Sequence, residues 1–248
     1  MAEQEVAESM EALIRSNEEL ERYAYVLSHD LREPVRAITG FLDLLDDQYR
    51  DELPPAAQMY ITYALEGASR LREMLKVLID LSRVETEARR VSRIDTGDLV
   101  REVINDLRVA IEEANACVVY DDLPEVVADE GHLRQVFENL ISNAVKFRRP
   151  SVAPCVRIST ERRDEAIIFA VKDNGIGIDL SQHDRLFRVF QRLHSESEYP
   201  GLGVGLALCK RIVTRHGGRI WADSEEGMGS TFYFSIPDPV ATSEPPGT

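Results

Sequence analysis

Eight positions near the start of the chain, Val6, Met10, Leu13, Asn17, Leu20, Ala24, Leu27 and Leu31, follow one another at alternating spacings of four and three. This is a heptad, and it predicts a helix packed along a second helix, with a parallel twin from another copy of the chain as the expected partner. Asn17 falls on the seam, where a buried amide fixes register and a two-stranded state; the alternative is a polar position near a helix end. The same phase puts His29 on the outer face, flanked by charged residues. The helix is expected to continue through Val35, Ile38, Phe41, Leu42 and Leu45, bent or loosened at Pro34. Asp51-Glu52-Leu53-Pro54-Pro55 reads as a turn. A second helix follows, with Ile61, Leu65, Ala68, Leu71, Leu75 and Leu78 as its apolar stripe. Two such hairpins side by side give a dimeric four-helix bundle.

Beyond Arg89-Arg90 the pattern changes. Thr96 or Asp98 can open a helix through Leu107, and Asp129 is a good N-cap for one carrying Leu133, Val136, Phe137, Leu140 and Ile141. Strands are expected at 117–120, 126–128, 156–159, 166–172, 219–224 and 230–236, with a helix over 206–216 ended by Gly217-Gly218. Strands mixed with helices in this order predict a two-layer α/β sandwich. The expected division is a coiled-coil helix over 1–24, a helical hairpin over 25–90, a hinge linker over 91–96, an α/β domain over 97–236 and a disordered tail over 237–248.

Composition narrows the function. A net charge of −15 and a pI near 4.8 disfavour nucleic-acid binding, which needs basic surface against phosphate. Lys76, Lys146, Lys172 and Lys210 are the only lysines, as a salt-rich cytoplasm or a GC-rich genome would favour. No apolar run is long enough to cross a bilayer, and the first residues do not form a signal peptide, so the expected location is the cytoplasm. Cys117, Cys155 and Cys209 are scattered with no CxxC, which argues against zinc and a disulfide framework and for buried or incidental thiols.

Four short runs carry chemistry. Ser28-His29-Asp30-Leu31-Arg32-Glu33-Pro34 offers an exposed nucleophile. Asn139 and Asn143 share a helix face, and Lys146 follows on it. A neutral amide oxygen suits Mg²⁺ when phosphates bring the negative charge, and Lys146 can reach phosphate. Packing with ordinary polar caps is the alternative. Asp173 closes an apolar strand before Asn174-Gly175-Ile176-Gly177 and can accept from an exocyclic amine, although Asp-Asn-Gly alone is also an ordinary turn. Gly201, Gly203 and Gly205 stand before the helix opening at Leu206, where glycines and a helix N-terminus make an anion site. No strand feeds this run in a βαβ unit, so it is not a dinucleotide fingerprint.

In this order the runs resemble the catalytic core of two-component sensor histidine kinases, whose ATP-binding fold is of the Bergerat type shared with Hsp90 chaperones, gyrase and MutL. The resemblance spans about residues 16 to 236. Ser28–Pro34 is similar to the H box, Asn139–Phe147 to the N box, Asp173–Ile178 to G1, Phe187–Phe190 to the F box, Gly201–Leu206 to G2 and Gly227–Thr231 to the last glycine box. The wording is similar to kinases that follow PAS or phytochrome sensors.

The resemblance implies His29 as phosphoacceptor, Asp30 as its acid/base neighbour and Asn143 as the Mg²⁺ ligand. It implies an ATP site formed by Asn139, Asn143, Lys146, Phe147, Asp173, Gly175, Gly177, Gly201, Gly203, Gly205, Leu206 and Thr231, with a lid from about 179 to 200. ATP and Mg²⁺ are the implied cofactors. A second copy, a response-regulator receiver domain and an upstream sensor are the implied partners. Asn139 stands where hydrolysing relatives carry a glutamate base. Glu33 stands where many members carry the Thr or Asn that positions water for phosphatase action, and Leu202 replaces a frequent Thr.

Overall fold

A computed structural model describes residues 30–86, 90–163, 165–179, 183–191, 199 and 202–238. The heptad up to residue 29, with Asn17 and His29, lies outside the described residues, as do Gly201 and the tail beyond 238. Two compact units divide after Thr86.

In the first unit a helix is described over 30–49 (α1), and Pro34 lies within it. A 3₁₀ turn, Arg50–Glu52, leads to α2 (Pro55–Thr86). Proline suits the first turn of a helix, where its missing N–H has no partner to lose. Gln58 closes the turn, its side-chain amide donating to the carbonyls of Arg50 (2.7 Å) and Leu53 (3.1 Å). Val35, Thr39, Leu75 and Ile79 are buried, and the Thr39 hydroxyl returns to the Val35 carbonyl at 2.8 Å. Leu31, the last seam position, and Ile38 and Leu45, seven and fourteen residues on, are nevertheless exposed within one chain. A hairpin of two helices buries one face of each against the other and leaves the seam without cover.

The second unit combines a five-stranded sheet, helices on one of its faces, and a separate two-stranded sheet of the unit's first and third strands. Its strands are β1 (Val91–Asp95), β2 (Cys117–Tyr120), β3 (Glu125–Asp129), β4 (Cys155–Arg163), β5 (Ala166–Asp173), β6 (Ile220–Glu225) and β7 (Gly229–Pro237). Its helices are α3 (Thr96–Asp106), α4 (Arg108–Glu113), α5 (Glu130–Lys146), α6 (His183–Leu186) and α7 (Gly205–Arg215). The five-stranded sheet runs β2-β4-β5-β7-β6, with β2 parallel to β4 and the other pairs antiparallel. Alternation along β5 and β7 sends Phe169 and Phe234 into the core, stacked at 4.9 Å, and Phe137 of α5 meets both edge-on at 5.5 and 5.4 Å. Such aromatic geometry adds to the gain from area burial.

Capping sets the helix starts. The Asp95 carboxylate accepts from the N–H of Gly97 (2.9 Å) and Asp98 (3.0 Å), opening α3. Asp129 does the same for α5 through the His132 N–H at 3.2 Å, as its position before an apolar-periodic run predicts. The stretch 91–96, expected as a linker, is instead β1 and the first residue of α3. β1 pairs antiparallel with β3 from Val91↔Asp129 to Asp95↔Glu125. Its partner lies some thirty residues on, so nothing local in the sequence marks it as a strand.

Candidate functional site: a nucleotide cradle between helix α5 and two glycine turns

The site is assembled from α5, the end of β5, the β6–β7 turn and the start of α7. Along α5, Leu140, Ile141, Ala144 and Val145 are buried, while Asn139, Asn143 and Lys146 lie on the half-buried opposite side. The expected shared face is thus present. The Asn139 amide donates to the Gln135 carbonyl at 2.8 Å, and its Oδ1 lies so close to Gly205 that a Cβ there would collide with it. The N box therefore abuts the start of α7. Val204 at that start gives no side-chain cap, which leaves first-turn N–H groups of an eleven-residue helix to serve an anion. Gly203 takes a positive φ of 69° on the approach.

At its other end α5 is joined to the loop after β5. The Phe147 carbonyl accepts from the Ile176 N–H at 3.0 Å, and a Cβ on Gly175 would strike that same oxygen. The Lys146 ammonium sits 4.7 Å from the centroid of the Phe147 ring. Tyr199 lies on the same ring at 4.9 Å, tilted 46°.

Asp173 is the centre of the loop. It is buried, and Oδ1 accepts from the N–H of Gly175 (2.8 Å) and of Ser230 (3.1 Å). Among the described residues, Oδ2 takes no hydrogen bond. Burial raises the carboxyl above the ordinary aspartate value, against the opposing pull of those two N–H donors. Gly229 passes so near that a Cβ would meet the Asp173 carbonyl, and Gly177 (φ 71°) would likewise meet Glu225. These glycines are required by close backbone approach.

The placement of other expected residues differs. Thr231 follows Ser230 on β7, and strand alternation sets it on the opposite face from Ser230 and Phe232, beside Lys172 and Asp223 in register. The contact to Asp173 comes from the Ser230 backbone instead. The Ser230 hydroxyl pairs with that of Ser224 at 2.8 Å, and Ser224 accepts from the Ile178 N–H at 2.8 Å. Leu206 is half-buried in the first turn of α7. Asp30 is exposed on α1, in the other unit. Sequence reasoning missed Arg149. Its Nε donates to the Asn174 carbonyl (2.9 Å) and its Nη1 to the Gly227 carbonyl (2.9 Å), tying the two glycine turns together. An arginine beyond a motif carries no periodic signal.

A carboxylate with one oxygen held by backbone and one open, set in a loop fixed by close-packed glycines, and an uncapped helix start together fit a purine nucleotide. Residues 128–240 match the family described as Histidine kinase-, DNA gyrase B-, and HSP90-like ATPase, and residues 19–87 match the His Kinase A (phospho-acceptor) domain. The chain belongs to the two-component histidine kinases. It is similar to cyanobacterial phytochrome A of Nostoc sp., 43% identical over 233 residues, covering 94% of this chain and 30% of that protein. It is 40% identical over 234 residues to a phytochrome-like protein of Synechocystis sp., covering 94% and 31%. This kinase core thus spans less than a third of the length of either relative. Among solved structures, full-length ShkA in complex with AMPPNP matches with a TM-score of 0.68 at 26% identity, covering 87% of this chain and 45% of that one. The catalytic domain of the histidine kinase ThkA matches with a TM-score of 0.52 at 26% identity, over 60% and 95%. The helical region followed by an α/β ATPase domain is the architecture of these kinases.

Proposed function

We propose that the chain is a protein-histidine kinase that phosphorylates His29 from Mg-ATP and passes the phosphoryl group to an aspartate of a response regulator. The observation that carries the nucleotide half is Asp173, whose Oδ2 is open while Oδ1 is fixed by two backbone donors. The adenine amine donates to Oδ2, and Phe147 lines the ring. Asn139, the α7 start and the glycines of 201–205 hold the phosphates, with Lys146 adding positive charge. The amide of Asn143 supplies a neutral ligand to Mg²⁺. That ion, when bound, offsets charge on the transferring phosphoryl group.

In the transfer, a neutral His29 ring nitrogen forms the N–P bond as the bond to the β-phosphate oxygen breaks and ADP leaves. The proton on the other ring nitrogen is held by the neighbouring Asp30 carboxylate, which also fixes the tautomer. Asn139 stands where a base would activate water, and an amide cannot accept that proton, which favours transfer to histidine over hydrolysis. The phosphohistidine then serves a receiver aspartate docked near His29.

The heptad and the exposed Leu31, Ile38 and Leu45 support a parallel homodimer. The kinship to phytochromes supports a PAS- or phytochrome-like sensor as the upstream partner. Among the described residues no helix is long and apolar enough to cross a membrane. Incubation with γ-labelled ATP tests the reading: label that survives base, is lost in acid and is absent from His29→Gln is the expected result. Acid-labile label in His29→Gln refutes the assignment of His29, and turnover of ATP without protein label favours a hydrolase.

A further inference from the structure

Cys117 and Cys155 are far apart in sequence, yet they are register partners on the neighbouring parallel strands β2 and β4. Partners across a ladder point to the same face, and both cysteines are exposed. On β4 the alternate residues Val156 and Ile158 are buried, so Cys155 and its partner lie on the open face of the sheet. Neighbouring strands lie about 4.8 Å apart, within the 4.4–6.8 Å Cα separation of disulfides. Closing to the shorter Cβ separation requires a shift of about an ångström. The two strands share it: β2 is a four-residue edge strand with β4 as its neighbour in the sheet and moves inward, and Cys155, the first residue of β4, is drawn outward to meet it. The third cysteine, Cys209, is buried and its thiol is pushed up to about 12 by burial, so it takes no part.

We propose that Cys117 and Cys155 form a reversible redox site on the ATP-binding domain, oxidised to a disulfide by hydrogen peroxide and coupled to nucleotide affinity through Asn174. One thiol attacks peroxide, giving a sulfenic acid and one water. The second thiol displaces hydroxide from that sulfur, giving the disulfide and a second water. Two thiol hydrogens and two electrons thus reduce one peroxide to two waters. A small-molecule thiol reverses the step by exchange, which is fast for an exposed and strained bond. Exposed disulfides of this kind are regulatory rather than structural where the compartment is reducing.

The coupling follows from hydrogen bonds at the same strand starts. The Cys155 N–H donates to Asn174 Oδ1 at 2.8 Å, and Asn174 Nδ2 donates to the Ala153 carbonyl at 3.0 Å. The Cys117 N–H donates to the Pro154 carbonyl at 2.8 Å. Asn174 directly follows Asp173. Since β4 lies between β2 and β5, a bond that draws Cys155 toward β2 draws it away from Asn174. The disulfide also encloses β3 and the whole of α5. The loss of one neutral hydrogen bond at Asn174 corresponds to a fall in nucleotide affinity of about two- to tenfold. This coupling rests on reading Asp173 as the adenine acceptor; the dithiol itself does not.

The whole chain is treated with hydrogen peroxide and analysed by intact mass, peptide mapping and maleimide labelling, and a fluorescent ATP analogue is titrated before and after. The expected result is an intramolecular loss of two hydrogens, a Cys117–Cys155 linked peptide, loss of native maleimide labelling, reversal by dithiothreitol and the stated fall in affinity. Cys117→Ser should bind the analogue normally and keep its affinity through peroxide treatment. Oxidation to sulfinic acids, disulfides only between chains, or thiols that persist would overturn the redox site, whatever the nucleotide does. A disulfide with unchanged affinity would overturn the coupling. Failure of the reduced protein to bind the analogue would instead refute the nucleotide reading while the mass result still decides the dithiol.

Discussion

Replacing Asp173 with Asn separates recognition from folding. Oδ1 accepts from two backbone N–H groups, so an asparagine must keep its carbonyl oxygen there; its amide would oppose two donors. The Nδ2 group then occupies the place of Oδ2 and presents a donor to the adenine amine, also a donor. The variant loses a hydrogen bond to a charged group, worth about 1.5–3 kcal/mol, or about 10- to 150-fold in affinity. Stability should move the other way. Burial disfavours the charged aspartate, as its raised pKa shows, and the neutral isostere removes that penalty while keeping both backbone bonds. Calorimetry with a non-hydrolysable ATP analogue and thermal unfolding of the free protein read the two effects. An inosine nucleotide, with an acceptor oxygen in place of the amine, should regain part of the loss in the variant. Unchanged affinity for the adenine analogue in a folded variant would refute the assignment. A sharp fall in unfolding temperature would show that the carboxylate serves the fold.

The pH dependence follows from the same group. Its ionised form accepts the amine, so nucleotide affinity should fall as pH drops through the raised value, earlier than for an exposed aspartate, and Asp173→Asn should flatten the profile. In the nucleotide-free protein this group contributes the opposite slope, stability gained as pH falls from the raised value to the ordinary one. Gly177→Ala combines a positive φ with a collision at the Glu225 carbonyl and should cost about 1–3 kcal/mol or more in chemical unfolding; a neutral substitution would show that the turn is not held. Arg149→Ala, which frees the Asn174 and Gly227 carbonyls, should lower stability by about 1–3 kcal/mol and weaken nucleotide binding. Arg149→Lys should recover only part of it, because an ammonium lacks the fork that spans both carbonyls.

The readable parts of the sequence are those set by local chemistry. Asp129 caps the helix that follows it, the helix expected to open at Thr96 or Asp98 starts at Thr96 with Asp95 as its cap, and the apolar run 166–172 is β5. Gly175, Gly177 and Gly229 stand where the backbone passes close to another chain segment, so their spacing carries the site. What could not be read depends on pairing between distant segments. Val91–Asp95 looks like a linker because its partner strand lies beyond α3, α4 and β2. Ser230 and Thr231 are equivalent polar residues until the β5–β7 register decides which of them meets Asp173. The cysteines look scattered because β2 and β4 are joined in the sheet but separated in the chain by β3 and α5. His29 and the heptad before it lie outside the described residues and rest on the sequence alone.

The two ends of α5 touch different parts of the site. Asn139 abuts Gly205 at the end proposed for the phosphates, and the Phe147 carbonyl is bonded to Ile176 at the end proposed for the base. Eight residues of helix separate them, about 12 Å at 1.5 Å per residue. A hydrogen-bonded helix does not stretch, so α5 acts as a ruler, and a ligand gains both sets of contacts only if its own length matches. Adenosine can occupy one end and free polyphosphate the other, but neither gains the avidity of two tethered contacts. With the nucleotide placed as proposed, discrimination by chain length of the phosphate tail follows from a helix whose side chains need not touch that tail's last atom.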